Sequence, residues 1–105
     1  MIKNISTFGE HIRVLRENAR LTLREVAVYL SIDNSLLAKI ERDERQPSRQ
    51  FIKQIASFYK VEEKKLQNEY LSDQIANKII FDEADLDILK IAEKKVSYLK
   101  KTQHV

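Results

Sequence analysis

The scarcity of residues that interrupt regular structure is the strongest constraint on how this chain folds. Its 105 residues include one glycine, Gly9, and one proline, Pro47. Tight hairpin turns and phosphate-binding loops need several glycines at fixed spacings, so the sequence disfavours a β-sandwich or a P-loop fold. Apolar residues make up 43% of the chain, which is enough to build a core. We therefore predict an all-α protein.

The first two thirds of the chain divide into five short predicted helices. Two capping boxes, in which a threonine precedes a glutamate by three residues, open the first two helices at Thr7 and Thr22. Asp33 and Ser48 are typical N-cap residues for the third and fourth helices. The predicted spans are about 8–19, 23–30, 34–42, 49–59 and 62–69.

Two further amphipathic helices are predicted, at about 70–81 and 82–101, before a polar tail at 102–105. The second carries apolar residues at spacings of mostly three and four that its own chain is too short to cover: Leu86, Leu89, Ala92, Val96 and Leu99. This stripe predicts pairing with a second copy, and packing back onto the fourth or fifth helix is the alternative. The expected organisation is a domain at 7–69, a dimerisation extension at 70–101 and a frayed tail at 102–105.

The excess of positive charge lies in the first two thirds of the sequence. The net charge is only +3, but every arginine lies at or before Arg49. The planar guanidinium group suits phosphate and guanine edges, so this distribution permits nucleic-acid binding. A solvated, salt-bridged helical surface would have the same composition.

Residues 22–41 have the spacing of a helix-turn-helix, with a short helix, a turn of about three residues and a second helix. Ala27 supplies the small residue where the two helices cross, and Ile32, Leu37 and Ile40 supply the apolar contacts of the turn and second helix. In such a motif the second helix enters the major groove, and the first directs its N-terminus at a phosphate.

Residues 8–66 resemble the Cro and phage-repressor-like (Xre-type) helix-turn-helix regulators. The resemblance rests on the segments Phe8-Gly9-Glu10, Leu21-Thr22, Glu25-Val26-Ala27, Lys39-Ile40-Glu41-Arg42 and Arg45-Gln46-Pro47-Ser48. It implies a five-helix lambda-repressor-like DNA-binding domain, here followed by the two-helix extension. It also implies a recognition helix at about 34–42 and a homodimer that binds a palindromic operator in double-stranded DNA.

The resemblance assigns two sets of contact residues. Base-reading positions fall on Asn34, Ser35, Leu36, Ala38 and Lys39, whose side chains suit adenine, guanine or the thymine methyl group. Phosphate contacts are expected from Arg24, Arg42, Arg45 and Ser48, which flank the recognition helix. Arg13 and Arg16 fit either a phosphate contact or an internal ion pair, and for Arg16 we favour a pair with Glu41.

Three residues depart from the family pattern. Leu23 replaces the glutamine whose amide usually holds a phosphate, and Ser31 replaces a turn glycine at a cost of about 1 kcal/mol if its backbone is left-handed. Asp33 adds a carboxylate near the groove. These departures leave DNA binding expected and the operator sequence undefined.

Other functions are disfavoured by what the sequence lacks. It has no cysteine, its two histidines stand apart from any carboxylate pattern of metal spacing, and it has no signal-like or membrane-spanning apolar run. We expect no enzyme activity, no cofactor or metal, no small-molecule effector, no membrane association and a cytoplasmic location. A restriction-modification controller is a narrower possibility. The rival function is an antitoxin or protein-binding module whose C-terminal helices bind a partner protein.

Overall fold

The computed structural model describes residues 5–103, which form six α-helices and no strand. The helices are α1 (Phe8–Asn18), α2 (Leu23–Leu30), α3 (Asn34–Glu41), α4 (Arg49–Tyr59), α5 (Glu63–Phe81) and α6 (Asp87–Gln103). The predicted all-α fold is confirmed. None of the helices in this described range is long and apolar enough to cross a membrane. The chain divides into two compact units, the first ending at Asp73 and the second beginning at Gln74.

The first unit is built around one apolar core to which all of its helices contribute. α3 packs against both α1 and α2. The capping boxes predicted at Thr7 and Thr22 both form, and the Ser48 hydroxyl accepts from Phe51 N–H at the start of α4. The buried apolar residues are Phe8, Ile12, Val26, Ala27, Leu30, Leu37, Ile40, Phe51, Ile52, Ile55, Ala56 and Leu66.

Gly9 permits the close approach of α1 to the end of α3. A Cβ atom added at Gly9 would lie 2.6 Å from the carbonyl oxygens of Ile40 and Glu41 and 2.6 Å from Asp43 Oδ1. Real Cβ atoms do not approach neighbours this closely. The single glycine of the chain therefore serves helix packing, and no glycine remains for the helix ends.

Helices α1 to α5 each end on a left-handed residue that is not glycine. These residues are Arg20, Ser31, Asp43, Lys60 and Glu83, with φ between 55° and 62°. At each end the next N–H donates to a carbonyl five residues back, as Ile32 does to Ala27 and Val61 does to Ala56. In four of the five motifs that next residue is apolar (Leu21, Ile32, Val61 or Ala84), which is the hydrophobic contact position of this helix ending.

The helices after position 60 differ from the prediction. The predicted helices 62–69 and 70–81 are one helix, α5, because no glycine or proline interrupts them and Tyr70 packs edge-on against Phe8. The predicted helix 82–101 begins only at Asp87, since Glu83 is left-handed and Asp85 accepts a hydrogen bond from Asp87 N–H. The predicted frayed tail is helical through Gln103, and His104 and Val105 lie outside the described residues.

The second unit, taken by itself, has no buried side chain between residues 74 and 102. Ile79 and Ala84 are half-buried, and the rest are exposed. On α6 the apolar side chains remain in contact with solvent, with 45% exposure at Leu89 and Leu99 and 51% at Val96. Such a surface is unusual for helices that remain alone in water.

Candidate nucleic-acid interface

Two eight-residue helices joined by three residues form the centre of the interface. α2 ends at Leu30, the turn is Ser31 to Asp33, and α3 begins at Asn34. Ala27 is 2% exposed, and Leu37 is fully buried. The backbone at Ser31 is left-handed, with φ 59° and ψ 43°. The predicted helix-turn-helix is therefore formed by residues 23–41.

The outward face of α3 carries three polar side chains. Asn34, Ser35 and Lys39 are exposed. The two other predicted base-reading residues are placed differently: Leu36 is half-buried against the core, and Ala38 is half-buried in a cleft beside α1 and α2. The expectation that Leu36 points outward is thus only partly met, because one edge of its side chain covers the apolar core.

The helix N-termini differ in how their backbone N–H groups are satisfied. At α1, Phe8 N–H donates to Asp73 Oδ2 at 2.7 Å and Gly9 N–H donates to Asp43 Oδ1 at 3.0 Å. Asp33 occupies the predicted N-cap position of α3, but its side chain makes no capping hydrogen bond. Within residues 5–103, the first N–H groups of α2, α3 and α4 lack an acceptor at Leu23, Arg24, Asn34, Ser35, Leu36, Arg49 and Gln50. These donors are available to an anion.

The predicted phosphate-contacting residues surround α3 but differ in their present partners. Arg24 and Arg45 are exposed, and neither has a hydrogen bond or ion pair to any described residue. Arg42 donates to Glu44, with 3.0 Å between Nε and Oε2. This hydrogen bond raises the pKa of Arg42 and lowers that of Glu44, so both remain charged. Ser48 uses its hydroxyl oxygen as a cap, which leaves its proton for an external acceptor.

Arg16 and Glu41 form the internal ion pair favoured from the sequence. Arg16 Nε lies 2.8 Å from Glu41 Oε2, and Arg16 Nη2 lies 3.0 Å from Glu41 Oε1. The side chains are 12% and 5% exposed. Arg16 also donates to the carbonyl of Leu21 at 3.0 Å. The bidentate pair joins the last residue of α3 to α1 and leaves Arg16 unavailable to DNA.

Several contacts around the site were not found from the sequence. Asp43 accepts from the Thr7 hydroxyl at 2.6 Å, and Glu69 Oε1 lies 2.6 Å from His11 Nδ1. These partners are 36 and 58 residues apart in sequence, so no local pattern marks them. Arg13 and Glu17 are paired at 3.0 Å, and their i, i+4 spacing is a signal that the sequence does carry.

The residues expected to mediate dimerisation are all exposed within the second unit. Leu89, Ala92, Val96 and Leu99 lie on α6, where a rotation of 100° per residue places them within a narrow face. Leu86 precedes α6 and is 69% exposed. Ile91 lies on the opposite side of α6 from Leu89.

Comparison with known proteins identifies the motif. Residues 7–67 match a family model described as a helix-turn-helix domain. The chain is 38% identical over 58 residues to the uncharacterized HTH-type transcriptional regulator RghRB of Bacillus subtilis (strain 168). That match covers 54% of this chain and 42% of the relative, so the chain spans less than half of the length of that protein. The resemblance to Xre-type regulators is confirmed by both comparisons. By the match over residues 7–67, which carries the geometry described above, this chain belongs to the helix-turn-helix domain family.

Proposed function

We propose that this protein is a sequence-specific DNA-binding transcriptional regulator that binds a palindromic operator as a homodimer. The observation that carries the proposal is the shared exposure of Asn34, Ser35 and Lys39 on α3, beside free N–H donors at the start of the helix. Asparagine and lysine make base-specific hydrogen bonds to adenine and guanine edges in the major groove. The name of the Bacillus subtilis relative, an HTH-type transcriptional regulator, supports the same class.

Selection of bound duplexes from a random pool at a stated salt concentration tests this function directly. A homodimer should enrich a two-fold symmetric sequence with half-sites about one helical turn, roughly 34 Å, apart. Enrichment of a single asymmetric half-site would contradict the dimer. Recovery of no preferred sequence would contradict sequence-specific regulation.

Two substitutions separate base reading from phosphate contact. Lys39→Ala should reduce the preference for the selected operator, costing about 1–3 kcal/mol on that duplex and less on others. Arg45→Ala should weaken binding to all duplexes alike and lower the salt slope by about one unit. Equal, sequence-independent losses for both variants would refute this division of roles.

The homodimer is supported by the apolar face of α6. Every described side chain of α6 is exposed in the single chain. A second copy of the chain presents the same apolar face. Pairing the two faces would bury both of them, as in an isologous interface. A lysine at position 96 would place two positive charges, one from each copy, in the dimer interface. Val96→Lys should therefore sediment as a monomer. Ile91→Lys, about 140° around α6 from Val96, is the matched control and should remain dimeric.

A monomeric wild-type protein would instead favour a regulator whose α6 binds a different protein, as an antitoxin does. The measurement is sedimentation of the unmodified chain at micromolar concentration. Dimerisation that survives Val96→Lys and not Ile91→Lys would place the interface on the other face of α6.

A further inference from the structure

A cleft opens between α1, α2 and α3, on the first unit of the chain. It has a volume of about 210 Å³ and is lined by Arg13, Arg16, Leu23, Ala38, Glu41 and Arg42. Arginine is its commonest lining residue, so an oxyanion is the ligand that its chemistry favours.

The arginines of the cleft are held with different strengths. Arg16 is fixed by its buried bidentate contact with Glu41, and this pair closes one side of the cleft. Arg13 and Arg42 are 60% and 54% exposed, and each contacts one exposed glutamate, Glu17 or Glu44, at 3.0 Å. Exposed pairs of this kind contribute little to stability, so either guanidinium can exchange its glutamate for a stronger partner.

The start of α2 borders the same cleft. Leu23 is the first residue of α2 and lines the cleft, and its N–H group has no acceptor among the described residues. Leucine at this position offers no polar side chain to an anion. Among the arginines that line the cleft, Arg13 and Arg42 are the two whose ion pairs are exposed, so they are the side-chain donors available to a group in the cleft.

We propose that the cleft binds one backbone phosphate of the DNA, held by Arg13 and Arg42 against the fixed Arg16–Glu41 pair. This inference rests on the proposed function and assigns Arg13, which fits two roles on sequence grounds, to phosphate binding. Ala38 and Glu41 line the cleft from α3, the helix that carries the reading face, and Arg42 directly follows that helix. A DNA strand that runs along α3 would therefore bring its phosphates next to the cleft. Glu17 and Glu44 compete with that phosphate for the two guanidinium groups.

Because Glu17 competes with the phosphate for Arg13, substitutions of Arg13 and of Glu17 should change the DNA affinity in opposite directions. Arg13→Gln removes one phosphate donor, so the magnitude of the salt slope of DNA binding should fall by about 0.9. Glu17→Gln frees Arg13 from its competitor, so affinity should rise, by up to about fivefold. Both effects should be the same on the selected operator and on a duplex of scrambled sequence.

Matched controls separate these effects from general charge. Lys64→Gln and Glu63→Gln make the same charge changes at exposed positions of α5 that do not line the cleft. Binding is measured by fluorescence anisotropy across a salt series, with a circular dichroism melt of each variant to show that it is folded. The assignment predicts a smaller slope for Arg13→Gln than for Lys64→Gln, and tighter binding by Glu17→Gln than by Glu63→Gln.

An Arg13→Gln slope equal to that of Lys64→Gln, with wild-type binding intact, would overturn the cleft assignment and leave the proposed function standing. A Glu17→Gln affinity equal to that of Glu63→Gln would overturn the competition between Glu17 and the phosphate. Wild-type protein that binds no duplex would overturn the proposed function and the cleft assignment together.

Discussion

Breaking the buried Arg16–Glu41 pair by removing one partner should strongly destabilise the first unit. Replacement of Glu41 by Gln leaves the Arg16 charge 12% exposed and without a carboxylate. Removing one partner of a buried ion pair costs about 3–5 kcal/mol, because the remaining charge stays desolvated. A unit of this size is stable by about 3–10 kcal/mol. Since Arg16 keeps its hydrogen bond to the Leu21 carbonyl, we expect the lower end, a loss of about 3 kcal/mol.

The measurement is urea unfolding followed by circular dichroism, at one fixed protein concentration so that any association is held constant. Two further variants complete the experiment. Arg16→Met combined with Glu41→Met removes both charges and leaves only the Leu21 carbonyl without its donor, a cost of about 1 kcal/mol. Glu17→Gln breaks the exposed Arg13 pair and should cost about 0.5 kcal/mol or less.

The ordering of these variants decides whether the reasoning is correct. The double variant must be more stable than Glu41→Gln alone, because two methionines leave no charged group buried away from water. A Glu41→Gln protein that loses no more stability than Glu17→Gln would refute the buried-charge argument. A double variant less stable than Glu41→Gln would refute it as well, because it would show that the unpaired Arg16 side chain stabilises the fold.

Three other substitutions test separate features of the fold. Gly9→Ala places a methyl group 2.6 Å from the Ile40 and Glu41 carbonyl oxygens and should cost about 1–3 kcal/mol in the same urea assay; an unchanged midpoint would show that α1 and α3 separate without cost. Ser31→Gly relieves the left-handed backbone at φ 59° and should stabilise by about 0.5–1 kcal/mol, while Ser57→Gly inside α4 should destabilise. Burial, with the Glu41 carboxylate adding to it, raises the pKa of Tyr59 to about 12, whereas an unfolded tyrosine ionises near 10. The unfolded state therefore loses its proton first as pH rises from about 10 to 12, and stability should fall over this range in wild type, less in Tyr59→Phe, and as in wild type in the exposed control Tyr98→Phe.

The starts of α1 to α4 were predictable because their signals are local. The capping boxes at Thr7 and Thr22 need only two side chains three residues apart, and both form as the sequence indicates. The helix ends were less predictable, since glycine is the expected left-handed residue and none is available. The end of α5 shows the consequence: Glu83 takes φ 55° and moves the start of α6 to Asp87. An apolar residue directly after the left-handed position, present in four of the five motifs, is the signal that remained in the sequence.

The candidate site was predictable to the extent that it resembles the site of the Xre-type regulators. The outward positions of Asn34 and Lys39 and the pairing of Arg16 with Glu41 followed from that resemblance. The half-burial of Leu36 did not, because it depends on how far the core extends beneath α3. The carboxylates at the start of α1 also escaped prediction, since Asp43 and Asp73 reach it only after the chain has folded.

Those carboxylates explain why one helix N-terminus differs from the others. Asp43 and Asp73 occupy the first N–H groups of α1, and the helix N-terminus stabilises their negative charge. Burial raises the pKa of Asp73, and the nearby Asp43 and Glu10 carboxylates raise it further, while its hydrogen bond from Phe8 N–H opposes them. An incoming phosphate is repelled by this arrangement. Glu25 and Asp33 stand at the starts of α2 and α3, but neither accepts a hydrogen bond from the first N–H groups of these helices. Those N–H groups therefore remain available to an anion.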